Sequence, residues 1–300
     1  MKAGSSGTPI TIYGAIAANF IIAVAKFVAA AFTGSSAMLS EGIHSVADTG
    51  NQLLLLLGVR RAQVPPDRLH PFGHGKELYF WSLVVAIVLF GVGGGMSLYE
   101  GIIHLQHPEP LEDPLWNYIV LAIGVLVEGG AWLIALREIL RVRSEGESIW
   151  QAIRNSKDPA IFTVLGEDSA ALAGLVVAFL GVFLAHRLNM PALDGAASVV
   201  IGGILIIVAS FLAFESRDLI VGECANGVVV DGVRGVLEDD PAVKRVERLL
   251  TMHLGPRDIL VATEVRFDPS LSVPEVEAAM ARIEKKIDQA QPHVGQIFIE

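Results

Sequence analysis

The 300-residue chain contains one cysteine, Cys224, which excludes an intramolecular disulfide and a thiolate cluster built from this chain alone. Charge is scarce as well. Only 18% of residues are charged against 52% hydrophobic, and the mean hydropathy is +0.54, a balance that excludes an ordinary soluble protein. Among the few charges, basic residues are the minority: 22 Lys and Arg against 32 Asp and Glu, for a formal charge of −10. Nothing therefore resembles a nucleic-acid footprint. No HExxH element and no obvious nucleophile set is present, which argues against an intramembrane metal-dependent hydrolase. There is no convincing internal repeat. No cleavable signal peptide is expected either, because Met1 to Pro9 carries a single lysine and leads into an apolar run too long for a signal core.

What the chain does have is long apolar runs. A helix needs roughly 20 mainly apolar residues to cross the hydrocarbon core, and six stretches qualify, at about 10–33, 37–59, 78–104, 115–140, 160–185 and 193–213. The sequence predicts an α-helical membrane protein: a six-helix transmembrane domain over 1–213, then a small cytoplasmic α+β domain over 214–300. Loop lysines and arginines set the orientation. Arg60, Arg61, Arg68 and Lys76 follow the second span and Arg141, Arg143, Arg154 and Lys157 the fourth, whereas the other side offers only Arg187. Both termini are therefore expected in the cytoplasm. In the tail, "DILVATEVRF" alternates with period two as a strand does, and Val273, Val276, Met280, Ile283 and Ile287 keep helical spacing behind "SVPE". With a helix near 227–238 and strands near 243–253 and 294–299, the order is αββαβ. Such a small unit gains from dimerisation. In the third span, Gly91 and Gly95 stand at GxxxG spacing, suited to close approach of another helix, either within one protomer or across a dimer contact.

Ionisable groups inside spans are costly and normally face the protein interior with a role. Lys26 falls in span 1, Glu41, His44 and Asp48 in span 2, Glu128 in span 4, and Glu167 with Asp168 in span 5. The acids outnumber the base, as suits a cation. On a helix, positions 41, 44 and 48 lie within about 60° of one another and form one polar stripe. His44 and Asp48 are one turn apart, so an imidazole nitrogen and a carboxylate oxygen can converge on one ion, and Asp168 lies at comparable depth. Imidazole with carboxylates suits zinc, iron, cobalt or manganese. The competing reading is that these groups only hydrogen-bond one another to hold the bundle together. Glu167 is turned about 100° from Asp168 on the helix and would need a favourable rotamer to join. Glu128 is either a further oxygen donor or proton carrier, or a neutral acid bonded to another span.

With these residues in place, the sequence resembles the cation diffusion facilitators, antiporters that move divalent metal ions out of the cytoplasm against protons. "NFIIAVAKFVAAAFTGSSAMLSEGIHSVADTGNQ" is similar to the family's first two spans, "HPFGHGK" to the loop that follows, "DGAASVVIGGILI" to its sixth span, and the αββαβ tail to its metallochaperone-like cytoplasmic domain. The resemblance implies a transport site of an HxxxD pair on span 2, matched by His44 and Asp48, and an (H/D)xxxD pair on span 5, where Asp168 matches and Val164 replaces the other ligand. It also implies that Asp67, His70 and His74 lie in or near positions where some relatives bind a secondary ion. His70 and His74 are expected to share a face only in a helical loop, against which Pro71 argues. Lys26 matches a first-span lysine expected to balance a carboxylate or snorkel, and Glu41 is expected as an entrance or coupling group. With only His253 and His293, the tail gives no support for a regulatory metal site. The implied protein is a homodimeric zinc/proton antiporter of a bacterial cytoplasmic (inner) membrane, with no cofactor besides its transported cation. A manganese or iron(II) exporter of the same architecture is the alternative. A channel is disfavoured because a tight chelating site slows release.

Overall fold

A computed structural model describes residues 9–108, 114–142, 148, 151 and 157–300. Arg143 and Arg154, two of the basic residues behind the expected orientation, lie outside the described residues, as does the 1–8 segment in which no cleavable signal peptide is expected. Contacts divide the chain into two compact units. The first holds residues up to Leu57, the helices from Trp81 onward, and Ala160–Glu215; the second holds Gly58–Phe80, a short segment around Lys157, and Ser216–Glu300. The division expected at 213/214 leaves Gly58–Phe80 with the membrane part, whereas here that segment packs with the tail.

The first unit is helical, with the last residues of α2 and α7 and the first of α3 counted in the second. Its elements are α1 (Pro9–Thr33), α2 (Ser36–Ala62), α3 (Glu77–Val88), a π-helical turn at Leu89–Gly95, α4 (Met96–Gln106), α5 (Leu115–Val142), α6 (Pro159–Leu188) and α7 (Ala192–Val221). Gly34, at φ +68°, makes the sharp turn between α1 and α2, a conformation that suits a residue without Cβ. Among the described residues, Glu77–Gln106, Leu115–Arg137, Ile161–Leu188 and Ala192–Val221 are each long and apolar enough to cross a membrane, and Asn19–Thr33 is a shorter apolar helix. The 27-residue α2 is long enough, but its polar stripe dilutes its apolar character. α7 runs eight residues past the expected end at 213, through Glu215, Arg217 and Asp218. Loss of hydrophobicity marks a change of surroundings, and these residues are tolerated in a helix on either side of that change.

Helices in lipid gain little from apolar burial against one another, so close backbone approach and interhelical hydrogen bonds hold them. Both occur here. A Cβ on Gly101 would lie 2.7 Å from Val199 N and 2.8 Å from Gly195 O, and one on Gly202 would lie 2.8 Å from Leu98 N and 2.9 Å from Gly94 O. The seam between α4 and α7 therefore uses Gly94 and Gly101 against Gly195 and Gly202. Within the protomer Gly91 and Gly95 are not part of this seam: a Cβ on Gly91 would meet nothing within 4 Å, and one on Gly95 only Phe90 O at 3.6 Å. GxxxG spacing locates small residues but not the face they occupy, and the π-helical turn shifts that face. Polar ties include Thr33 Oγ1 to Asn117 Oδ1 at 2.9 Å and the Ser36–Ser198 hydroxyl pair at 2.7 Å.

The tail has the αββαβ order read from its periodicities: α8 (Gly227–Glu238), β1 (Val243–Gly255), β2 (Asp258–Phe267), α9 (Val273–Ala290) and β3 (Val294–Ile299). The sheet order is β1-β2-β3, with β1 antiparallel and β3 parallel to β2. Ile259, Val261 and Val265 of β2 pack against Val233, Leu237, Ile283 and Ile287 of the two helices. Asp240, at the α8–β1 junction, accepts from Arg282 Nε at 2.8 Å and Nη2 at 2.6 Å, locking α9 to that junction.

Candidate cation site

α2 carries the polar stripe, and the neighbouring helices complete it. Lys26 of α1 is fully buried and donates from Nζ to Glu41 Oε2 at 3.0 Å, Ser45 Oγ at 2.8 Å and Glu128 Oε1 at 3.1 Å. The lysine balances two carboxylates and does not snorkel. Glu41 is equally enclosed, 0% exposed, with its carboxylate against Gly174 of α6, a position where any Cβ would collide with it. An entrance position is therefore not where Glu41 sits. It belongs to a buried ion-pair network joining α1, α2 and α5.

One turn along α2 the stripe opens onto a cavity of about 310 Å³, lined by Asp48, Gln52, Glu128, Val164, Glu167 and Asp168 among others. The sequence-predicted acids of spans 2, 4 and 5 thus meet in one place. Val164 forms part of the wall, so the missing-ligand position faces the cavity too. Glu167 is nearly fully buried and accepts from Asn51 Nδ2 at 2.6 Å, while its neighbour Asp168 reaches the same cavity. The angle between them on the helix does not separate them, because residues of four helices bound the space and the wall subtends a wide arc. Glu128 Oε1 accepts from Lys26 Nζ of α1, so this acid is bonded to another span. Buried oxygens without a hydrogen bond include Asp48 Oδ1, Glu128 Oε2 and Asp168 Oδ2. Such oxygens, expensive when unpaired, can take a cation or a proton. His44 is fully buried behind Asp48, its Nδ1 3.3 Å from Asp48 Oδ1, and is not part of the cavity wall. Ser45, Asn51 and Gln52 escaped the sequence reading. Asn51 falls seven residues after His44, two turns along the same stripe, and that spacing was the available signal.

A second cluster lies in the loop after α2. Asp67 Oδ1 accepts from the backbone N–H groups of Leu69 at 2.8 Å and His70 at 2.7 Å, an Asx turn. The turn brings His70 Nδ1 to 3.3 Å from Asp67 Oδ1 and His74 Nε2 to 3.6 Å from Oδ2, and the two imidazole centroids lie 4.3 Å apart. Among the described residues this is the only trio of such groups whose ligand atoms all lie within 4.8 Å of one another. The expectation that a helix was needed is overturned: residues 63–76 are not helical, and the Asx turn with Gly73 at φ +85° does the gathering. The His70 backbone N–H, with lesser help from that of Leu69 and the His70 ring, holds the Asp67 carboxyl below its ordinary range.

Residues 12–221 match the family of cation efflux transmembrane domains. The chain is 37% identical over 244 residues to the mitochondrial proton-coupled zinc antiporter SLC30A9 of Xenopus laevis, covering 81% of this chain and 44% of that protein. Its human counterpart is 34% identical over 255 residues, covering 85% and 45%. Metal tolerance protein C4 of Arabidopsis thaliana is 30% identical over 256 residues, covering 85% and 56%. The chain thus spans about half the length of these curated relatives. A family match over 210 of the 300 residues, 12 to 221 inclusive, on helices long and apolar enough to cross a membrane, makes this chain an integral membrane member of the cation efflux, or cation diffusion facilitator, family.

Proposed function

We propose that the protein exports divalent metal cations, zinc foremost, by proton-coupled antiport through six spans, with the Asp48/Asp168 cavity as the transport site. The observation that carries this reading is the gathering of Asp48, Glu128, Glu167 and Asp168 on one cavity wall within an apolar helical unit. A cation stripped of water is tolerated there only if anionic oxygens and an imidazole replace its hydration shell. Asp48 and Asp168 are the core ligands, and His44 joins them by rotating past Asp48 or, failing that, fixes the Asp48 carboxylate. Binding requires neutral imidazole and ionised acids, so metal entry expels protons, and protons returning from the other side release the metal. The zinc antiporters and metal tolerance protein among the relatives support the class of cargo.

A second reading, manganese or iron(II) as cargo, is favoured by Val164, whose place in the wall leaves a site rich in oxygen and poor in nitrogen. We further read Asp67, His70 and His74 as a secondary ion site, the tail as a dimerisation domain, and both termini as cytoplasmic, in a bacterial inner membrane. Proteoliposome uptake over a panel of metals, with and without a proton gradient, tests the proposal. Asp48→Ala, Asp168→Ala and His44→Ala should each abolish transport while the purified protein stays intact. Near-parental transport by any of them removes that residue from the core site, and uptake indifferent to the proton gradient removes the coupling.

A further inference from the structure

The helical unit contains a second cavity, mostly apolar with a few polar groups in its wall, at the end where α1 finishes, α2 and α7 begin and α4 stops. It has a volume of about 530 Å³, and its wall includes Gly34, Ser35, Ser36, Glu100, His104 and His107. Glu100, His104 and His107 follow one another at i, i+4 and i+7, within about 60° on α4 and its C-terminal cap. None of them was singled out from the sequence, although Glu100 and His104 fall inside the third apolar stretch, where an ionisable group without a role is expensive.

His104 anchors the argument. It is only 7% exposed, it lines the cavity, and its Nε2 is buried without a hydrogen bond. That nitrogen lies 3.9 Å from Oδ2 of Asp194 in the first turn of α7. Asp194 is fully buried and fixed from elsewhere: Oδ1 accepts from Ser35 Oγ at 2.8 Å and Oδ2 from Ala37 N at 3.2 Å. A carboxylate fixed 3.9 Å from one nitrogen of an imidazole, a charge contact longer than a hydrogen bond, stands on the side where metal-binding histidines keep a second-sphere acid, and a small turn of the ring would close the hydrogen bond.

We infer that this cavity is a second divalent-cation site, held by His104, Glu100 and His107, with the Asp194 carboxylate as the acid that His104 turns to when an ion is bound. Two imidazoles and a carboxylate favour transition-metal ions such as zinc or cobalt over magnesium or calcium. The three ligands are stacked along α4 and not yet closed on a common centre. His104 is the fixed member, while Glu100 is half-buried and His107 exposed, so their side chains are free to rotate onto an ion. The inference stands apart from the transport reading, since neither Asp48 nor Asp168 contributes to it.

The test is Co²⁺ binding to the purified full-length protein in detergent, followed by equilibrium dialysis and by the visible bands of cobalt–imidazole ligation. Relative to the parent, Glu100→Gln/His107→Ala should lose one equivalent of bound Co²⁺ per chain and leave the remaining affinities unchanged. Both positions are partly open, so the variant should elute as the parent does. His104→Ala should lose the same equivalent, and Asp194→Asn should weaken it about 10- to 100-fold. Unchanged stoichiometry and affinities in Glu100→Gln/His107→Ala overturn the inference, as does loss of the Asp48/Asp168-dependent equivalent in its place.

Discussion

Replacing Lys26 by methionine keeps a long unbranched side chain and deletes the charge. In the native protein that charge sits at 2.8–3.1 Å from Ser45, Glu41 and Glu128, with the Lys26 and Glu41 side chains 0% exposed and that of Glu128 14%. Without it, Glu41 faces Gly174 and an apolar bundle with no counter-charge. Breaking a buried ion pair by removing one partner costs about 3–5 kcal/mol, whereas replacing both partners with neutral groups of similar volume is often close to neutral. Lys26→Met should therefore lower the midpoint of thermal unfolding by roughly 6–10 °C, at about 2 °C per kcal/mol for a chain of this size. Lys26→Met/Glu41→Gln should recover part of that loss, since Glu128, 14% exposed, still lacks its partner. The assay is fluorescence-detected size-exclusion chromatography after a heating series in detergent, on parent, both single variants and the double variant. If Lys26→Met melts with the parent, or the double variant is no better than Lys26→Met alone, the network does not hold α1, α2 and α5 together in the way argued here.

On the α4–α7 seam, Gly202→Ala must push a methyl group to within 2.8–2.9 Å of Leu98 N and Gly94 O, an overpacking expected to cost about 1–3 kcal/mol. The adjacent Gly203→Ala meets nothing within 4 Å and should instead gain up to about 1 kcal/mol of helix propensity; equal melting of the two variants would refute the seam. Val164→His adds an imidazole to the wall of the proposed transport site and should raise the preference for zinc over manganese and iron(II), while Glu167→Gln or Glu128→Gln should lower metal affinity or proton coupling. Competition binding reads the outcome, and three variants indistinguishable from the parent would make both glutamates structural. In the tail, the Arg282 hydrogen bonds depress the Asp240 carboxyl to about 2. A depressed acid stabilises the fold above its unfolded value of about 3.9, so this contribution should fade as pH falls from about 4 through 2. Asp240→Asn should remove it at neutral pH, at a cost of roughly 1–2 kcal/mol, seen as faster hydrogen exchange of α9 in the full-length protein; unaltered exchange would show that the pair contributes nothing measurable.

What could be read without coordinates is what depends on near neighbours in the chain. Long apolar runs report the surrounding solvent, and the helices follow them closely, from Leu115 in α5 to Ala192 in α7. Strict alternation through Ile259, Val261 and Val265 marks β2, because side chains of a strand alternate faces whatever lies across from them. The stripe of Glu41, His44 and Asp48 was legible for the same reason, a fixed angle per residue along one helix. Contacts between distant residues have no such local signature. Lys26 and Glu128 are 102 positions apart, and only the packing of α1 against α5 decides that they pair. Helix-wheel arithmetic could not place Glu167, because it treats one helix as isolated, whereas a cavity among four helices admits neighbours about 100° apart. The glycine seam inside the protomer uses Gly94 and Gly101, not Gly91 and Gly95, because the π-helical turn resets the register that spacing rules assume. Asp67, His70 and His74 came together without a helix, since one carboxylate accepting two backbone N–H groups bends the chain. His104 and Asp194 lie on helices far apart in sequence, and they became a pair only when close backbone contact at Gly101 and Gly195 brought α4 and α7 together.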